Sequence, residues 1–402
     1  MTSDVSTRPT GRRSPARADV PRPGADDPRH LARTLADTDA LLGEVCDRLV
    51  EDWRARSPEP ADVIAPDLPE LLRDWLLPAT GKRLRPVMCH WGWVAARGPE
   101  RGGSGGRDEL VALCAALELV HLFALVHDDV MDRSDSRRGR PTTHVEAARA
   151  HVRADALGDP ELFGDSVAIL YGDLALTEAW HLAASCSPPL RRAWADMLRE
   201  LVQGQLLDVT GAAARRRDLE RARLVAMLKS GAYTVQRPLC LGALAAGAGS
   251  TSVPSPEREP GRDPEPAPPG ALEALDDYGR HVGEAFALRD DILGIWGDPA
   301  RTGKPVGDDL LSGKPTVLLA EAQRALPADL VARHLGPHAT VTPEAVPLLQ
   351  EAMREAGVLE RTERRIASEV DLACAALARA DLDPGAVDEL VALARAIGWR
   401  DS

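Results

Sequence analysis

The run His127-Asp128-Asp129-Val130-Met131-Asp132 sets Asp128 and Asp132 four residues apart. On a helix they share one face, about 6 Å apart along the axis. Like charges at that spacing repel, and the helix macrodipole disfavours anions near a C-terminus. Half-burying such carboxylates is costly unless cations compensate. Oxygen ligands of this kind suit Mg²⁺, which keeps waters and shares its shell with substrate phosphates. A second pair, Asp290-Asp291, follows another mostly apolar helical stretch at 278–288, and Gly294 stands at i+4 from Asp290. Two acidic clusters, each closing an apolar stretch, can face each other across a bundle and hold several Mg²⁺ ions between them.

The cations alternate with these clusters. Gly81-Lys82-Arg83-Leu84-Arg85-Pro86 places three in four positions, and Arg137-Arg138-Gly139-Arg140-Pro141 begins five residues after Asp132. Among 49 basic residues only four are Lys, at positions 82, 229, 304 and 314. Lys82, Lys304 and Lys314 each follow a Gly. Lys is a compact point charge and Arg a rigid planar fork. A site that crowds several cations around one small anion can need the compact form. The pattern suits a substrate with two kinds of phosphate contact, one through Mg²⁺ on carboxylates and one directly through Arg and Lys.

Helices must position these groups. Leu31, Leu35, Leu42, Val45 and Leu49 follow a 3–4 spacing. Residues 110–126 are apolar on almost every face, which predicts a helix buried at the centre of a bundle. Asp383 and Pro384 read as an N-cap and first-turn pair leading into Val387, Leu390, Val391, Ala394 and Ile397. Strand signals are scarce, with 3% aromatic residues. The expected fold class is all-α, one large domain over 31–400. Residues 1–30, polar with five Pro, are expected to be a disordered tail. Residues 251–270, with seven Pro, are expected to be an exposed insert, and 98–107 a Gly-rich loop.

Composition excludes several classes. A net charge of −13 argues against a nucleic-acid binder. No run reaches the ~18 apolar residues of a membrane span, because Glu118 and His121 interrupt 110–126. The opening MTSDVSTRPTGRRSP lacks the apolar region of a secretory signal. Six scattered Cys with no CxxC exclude a zinc ribbon or disulfide scaffold and suit a reducing cytosol, so a cytoplasmic protein is expected.

Seven motifs, in order and spacing, carry a resemblance that runs from about residue 75 to 400. They are GKRLRP at 81–86, ELVHLFALVHDDVMDRSDSRRGRPTTH at 118–144, GDSVAILYGD at 164–173, GQLLD at 204–208, KSGAY at 229–233, YGRHVGEAFALRDDILGIWGD at 278–298 and TGKPVGDDLLSGKPT at 302–316. The chain resembles the trans-isoprenyl diphosphate synthases of the polyprenyl synthetase family. The resemblance implies a single antiparallel helical bundle around a deep central cavity (the isoprenoid synthase fold), usually as a homodimer. It implies a prenyltransferase that joins isopentenyl diphosphate to an allylic diphosphate with about three Mg²⁺ ions. Asp128 and Asp132, with Asp129 between them, would hold Mg²⁺ on the allylic diphosphate. Asp290, helped by Asp291, would hold another from the opposite helix, and Asp309 or Asp308 would act through water. Arg137, Lys229 and Lys304 would hold the allylic diphosphate, with Ser230 keeping a hydroxyl where the family usually has Thr. Lys82, Arg85, His121 and Arg138 would hold isopentenyl diphosphate, and Lys314 completes the cationic set.

Two departures from the family pattern stand out. The second acidic motif reads DDILG rather than DDxxD, and Ala287 replaces the usual Gln of the preceding FQ pair. Activity is expected to survive them, with at most a weaker affinity for Mg²⁺. Phe123, five residues before Asp128, and the small Ala124 are expected to form the cavity floor. One aromatic there resembles members that stop near C20, so geranylgeranyl diphosphate is the expected product, with farnesyl or longer polyprenyl diphosphates as alternatives. A class I terpene cyclase shares the fold, but its usual Asn/Asp-Ser/Thr-Glu triad is impossible in a chain without Asn. A phosphohydrolase using His127-Asp128 would need a matched upstream His that is not found. A non-catalytic partner subunit would tend to lose the acidic motifs, all of which remain.

Overall fold

The computed structural model describes residues 28–56, 67–77, 81–101, 104–137, 139–214, 218–248, 268–298, 306–336 and 339–400. Across them the chain is helical apart from one two-stranded hairpin. Helices α1 (Pro28–Arg56), α2 (Leu68–Leu76) and α3 (Leu84–Ala95) lead to the long α4 (Ser104–Met131). Strands β1 (Ser136–Arg137) and β2 (Arg140–Pro141) pair antiparallel, Arg137 opposite Arg140. Then follow α5 (Thr143–Arg153), α6 (Pro160–Ala184) and α7 (Pro188–Ala213). Helix α8 (Leu219–Val225) passes without a break into a π-helical segment, Ala226–Gln236, and then α9 (Arg237–Ala245). The acidic helix α10 (Ala271–Trp296) is followed by the short α11 (Asp308–Ser312), α12 (Val317–Ala325), α13 (Val346–Glu355), α14 (Val358–Leu377) and α15 (Pro384–Gly398).

Helix α4 is the axis of the bundle, as its all-round apolarity predicts. Leu110, Leu113, Leu117, Leu119, Val120 and Leu122 are fully buried, and α1, α3, α6 and α9 pack around it. Its segment Gly106–Met131 is long and apolar enough by composition to cross a membrane, contrary to the run-length reading. Two thirds of its most apolar window is buried inside the bundle, which is the signature of a core helix. The polar residues that interrupt it are satisfied internally. Glu118 pairs with Arg83 at 3.3 Å, and His121 Nδ1 lies 3.0 Å from the Tyr233 hydroxyl.

Several boundaries differ from expectation. α1 begins at Pro28, inside the presumed tail, and residues 1–27 lie outside the described residues. The Gly-rich loop is shorter than expected: Gly98–Arg101 forms a 3₁₀ turn and α4 begins at Ser104. The insert at 251–267 also lies outside the described residues, and Pro268–Gly270 turns into α10 with Gly270 at φ +76°. The Asp383 cap forms as predicted, its carboxylate accepting from Ala386 N at 2.8 Å.

Helices α3 and α9 cross at backbone contact. A β-carbon on Gly92 would lie 2.0 Å from the Leu239 carbonyl oxygen, and one on Gly242 would lie 1.8 Å from that of Cys89. Overpacking a tight core costs about 1–3 kcal/mol, occasionally more. Gly242→Ala should therefore lower the unfolding free energy by about 1–3 kcal/mol or more, read from the denaturant midpoint in equilibrium unfolding. A variant as stable as the parent would contradict the crossing.

Candidate active site

The ends of α4, α7, the π-helical segment and α10 enclose a cavity of about 450 Å³. Asp128 enters it from α4 and accepts hydrogen bonds from Lys229 Nζ at 2.8 Å and Gln205 Nε2 at 3.1 Å. Lys229 also donates to Asp208 of α7 at 2.6 Å. Burial works against the Asp128 charge, but Lys229 and Lys314 outweigh it and hold the carboxyl below its ordinary value. Burial likewise works against the Lys229 ammonium, and Asp128 and Asp208 outweigh it, so its pKa rises. Asp132, one turn on, is held by Lys314 Nζ at 2.8 Å.

The opposite wall carries Asp290, Asp291, Gly294 and Asp309. Arg400 donates to Asp290, with its guanidinium 4.0 Å over the Phe286 ring. Asp291 Oδ2 accepts from Val317 N at 3.0 Å, at the start of α12. Burial and the neighbouring carboxylates of Asp309 and Asp290 push its carboxyl well above the ordinary range. Among the described residues no three acidic, His or Cys side chains converge tightly enough to grip an ion as they stand. Asp128, Asp132 and Asp290 lean on Lys or Arg instead.

The same cavity has a second cationic corner. Arg85, almost fully buried, donates to the Tyr233 and Thr234 hydroxyls, the latter at 2.9 Å, with its Cζ 4.2 Å over the Tyr233 ring. Its buried Nε has no hydrogen-bond partner. His121 and Ser230 line the same cavity. Next to Asp128 an apolar cavity of about 400 Å³ runs between α4 and α7, lined by Phe123, Ala124, His127, Leu201 and Leu206 among others. Phe123 packs edge-on against His127, ring centroids 4.7 Å apart.

Residues 70–353 match the family profile of the polyprenyl synthetases. The chain belongs to the polyprenyl synthetase family. It is 36% identical over 243 residues to a (2E,6E)-farnesyl diphosphate synthase of Mycobacterium tuberculosis, a match covering 59% of this chain and 55% of that protein. The chain thus spans little more than half the length of that relative. It is 30% identical over 311 residues to the octaprenyl diphosphate synthase of Escherichia coli, covering 75% of this chain and 81% of that one. A crystal structure of geranylgeranyl pyrophosphate synthase from Corynebacterium glutamicum, complexed with isoprenyl diphosphate and magnesium, superposes with a TM-score of 0.75 at 36% identity, covering 90% of this chain and 99% of that one. The fold is the isoprenoid synthase fold.

Most candidate site residues line the cavity, but Asp129, Asp132 and Lys82 do not, Asp132 meeting it only through Lys314. Asp129 faces away and clamps Arg137, which donates to it from Nε and Nη2 at 2.6–3.0 Å. Its carboxylate is taken up by Arg137, because a neighbour on a helix points about 100° away from Asp128. Lys82 is exposed and does not line the cavity. The resemblance left Asp308 or Asp309 open; Asp309 is the one in the cavity wall. Ala287 is buried against the core side of α10. Arg138 and Lys304 lie outside the described residues.

Sequence reading missed Gln205, Asp208, Tyr233, Thr234 and Arg400. GQLLD and KSGAY contain three of them, and their presence in recognised motifs was the available signal. Arg400 gave none. The π-helical segment was also illegible, although π geometry is common at functional sites. It brings Lys229, Ser230, Tyr233 and Thr234 to one cavity wall. Gly231 lets this segment touch α10, since a β-carbon there would lie 2.6 Å from the Gly283 carbonyl oxygen.

Proposed function

We propose that this chain is a Mg²⁺-dependent trans-prenyltransferase that condenses isopentenyl diphosphate with an allylic diphosphate. The observation that carries the reading is the meeting of opposed carboxylates, Asp128 and Asp290, in one cavity with Lys229, Arg137 and Lys314, beside an apolar cavity that starts at Asp128. The residues fit a hard divalent cation. The donors are carboxylate oxygens, and Asp291 and Asp309 crowd like charges that a cation relieves. Asp128, Asp132, Asp290 and Asp309 would hold it, and when bound it supplies positive charge to the departing diphosphate.

The protein's own groups do the rest. Lys229, Lys314 and Arg137 stand ready to donate to the oxygens of the allylic diphosphate, favouring ionisation of its C–O bond. Arg85, with its unused Nε, and His121 are placed for the second diphosphate. The alkene of isopentenyl diphosphate attacks the allylic cation, and a proton leaves to the released pyrophosphate. Apolar walls exclude water that would quench the cation.

The growing chain would enter the apolar cavity over Ala124, with Phe123 as its floor, which supports a C20 product. The exposed face of α6 carries Leu162, Ile169 and Trp180 at helical spacing, which supports a homodimer. The scattered Cys support a cytoplasmic site of action.

Incubation with isopentenyl diphosphate and a C5, C10 or C15 primer, then chromatography of dephosphorylated products, should give geranylgeraniol. No prenyl product from any primer would sink the reading. Asp128→Ala should cut turnover about a thousandfold or more, while Lys229 keeps Asp208 and the fold persists; near-normal turnover would remove its role. Phe123→Ala should lengthen the product, and an unchanged product would refute this floor. Sedimentation at micromolar concentration should give a dimer, and a monomer would contradict the α6 interface.

A further inference from the structure

Arg83 holds a backbone conformation that is ordinarily left to glycine. It is the N-cap of α3, with φ 50° and ψ 35°, whereas N-cap residues are ordinarily extended. The left-handed region crowds the β-carbon of an L-residue against its own backbone. Among the described residues α10, α11 and α14 also start from left-handed N-caps, and there the residue is Gly270, Gly307 or Gly357. The other non-Gly residues of positive φ, Arg97, Arg133 and Asp155, each follow a helix C-terminus, where this conformation is a common cap. Only at 83, among these N-caps, does the chain bear the strain and keep a side chain.

That side chain is nine-tenths buried and is held from three helices. Its Nη2 lies 2.6 Å from Asp39 Oδ1 of α1, and its Nε lies 3.3 Å from Glu118 Oε2 of α4. Nη2 also donates to Leu76 O, at the end of α2, at 3.4 Å. The Glu118 carboxylate is as deeply buried as the guanidinium, so each charge needs the other. Val87 N closes the first turn of α3 on Arg83 O at 3.0 Å. Arg85 lies in that turn, and its direction follows the backbone at 83 as it reaches the Tyr233 and Thr234 hydroxyls. Glu118 stands three residues before His121, on the same face of α4. His121 Nδ1 meets the same Tyr233 hydroxyl at 3.0 Å.

Resting on the prenyltransferase reading above, we infer that Asp39 and Glu118 are positioning residues for the second diphosphate. They clamp Arg83 in its left-handed turn, and that turn sets Arg85 against His121. Neither carboxylate lines the cavity, so neither touches substrate. The allylic side, with Lys229, Arg137 and Lys314, draws its support from Asp128, Asp208, Asp129 and Asp132 instead. The clamp therefore governs the affinity for isopentenyl diphosphate and leaves that for the allylic diphosphate alone. Strain that surrounding contacts hold in place at a binding site is a form of pre-organisation.

The test is calorimetry of the full chain with isopentenyl diphosphate and, separately, with the C10 allylic diphosphate and Mg²⁺. Glu118→Gln should weaken isopentenyl diphosphate about 10-fold, and Asp39→Asn should act in the same direction. Both should bind the allylic diphosphate as the parent does. The double variant Arg83→Gly/Glu118→Gln relieves the strain and leaves no buried charge unpaired. It should melt like the parent and still bind isopentenyl diphosphate about 10-fold more weakly. Hydrogen exchange at the Val87 amide should quicken in each variant. Variants that bind isopentenyl diphosphate like the parent, or that lose both ligands equally, overturn the clamp. A parent that binds no isopentenyl diphosphate overturns the prenyltransferase reading instead. Exchange at Val87 then decides the clamp by itself: faster exchange in the variants upholds it, and unchanged exchange overturns it.

Discussion

Partly buried carboxylates at the mouth of an apolar bundle govern how the rest of this molecule is arranged. Removing charges from water is expensive, and the cost is tolerated only where opposite charge lies within contact. The protein meets that demand pair by pair: Lys229 between Asp128 and Asp208, Lys314 on Asp132, Arg137 on Asp129, Arg400 on Asp290. At an effective dielectric of about 20, two charges 4 Å apart interact by roughly 4 kcal/mol. These contacts are closer than that, and three of the five, Lys229–Asp128, Lys314–Asp132 and Arg400–Asp290, join residues more than 100 positions apart. The charge balance therefore ties α4, α7, the π-helical segment and the 307–314 turn together. The same cations that make the acidic site tolerable are those a diphosphate would use.

Backbone proximity makes the charge pairing possible. Gly92 and Gly242 bring α3 and α9 to carbonyl contact, and Gly231 and Gly283 bring the π-helical segment onto α10. With the helices that close, side chains as short as Asp and Ser can share one cavity. The hairpin after α4 serves the same end at smaller scale. Gly139 at φ +74° turns the chain so that Arg137 points back at Asp129. Arg133, at φ 54°, ends α4 one residue past Asp132.

A polar cavity and an apolar one lie side by side, and Asp128 lines both. A ligand with an anionic head and a hydrocarbon tail matches that division. Asp208 and Gln205 on one side and Phe123 and Leu206 on the other come from only two helices, α4 and α7. A change in either helix therefore bears on both the head and the tail of such a ligand.

Local chemistry was legible in the sequence. The all-helical class, the burial of α4, the Asp383 cap and the shared face of Asp128 and Asp132 follow from spacing along one stretch of chain, because each helix has a fixed 3.6-residue period. Tertiary structure alone decided the rest. Asp129, adjacent to Asp128, turned out to hold Arg137; Lys314 met Asp132 across 182 residues; and Arg400 reached Asp290. Periodicity says which residues share a helix face. It cannot say which face meets which, because that is set by how whole helices pack, and packing here uses close backbone contacts that glycines allow between segments distant in sequence.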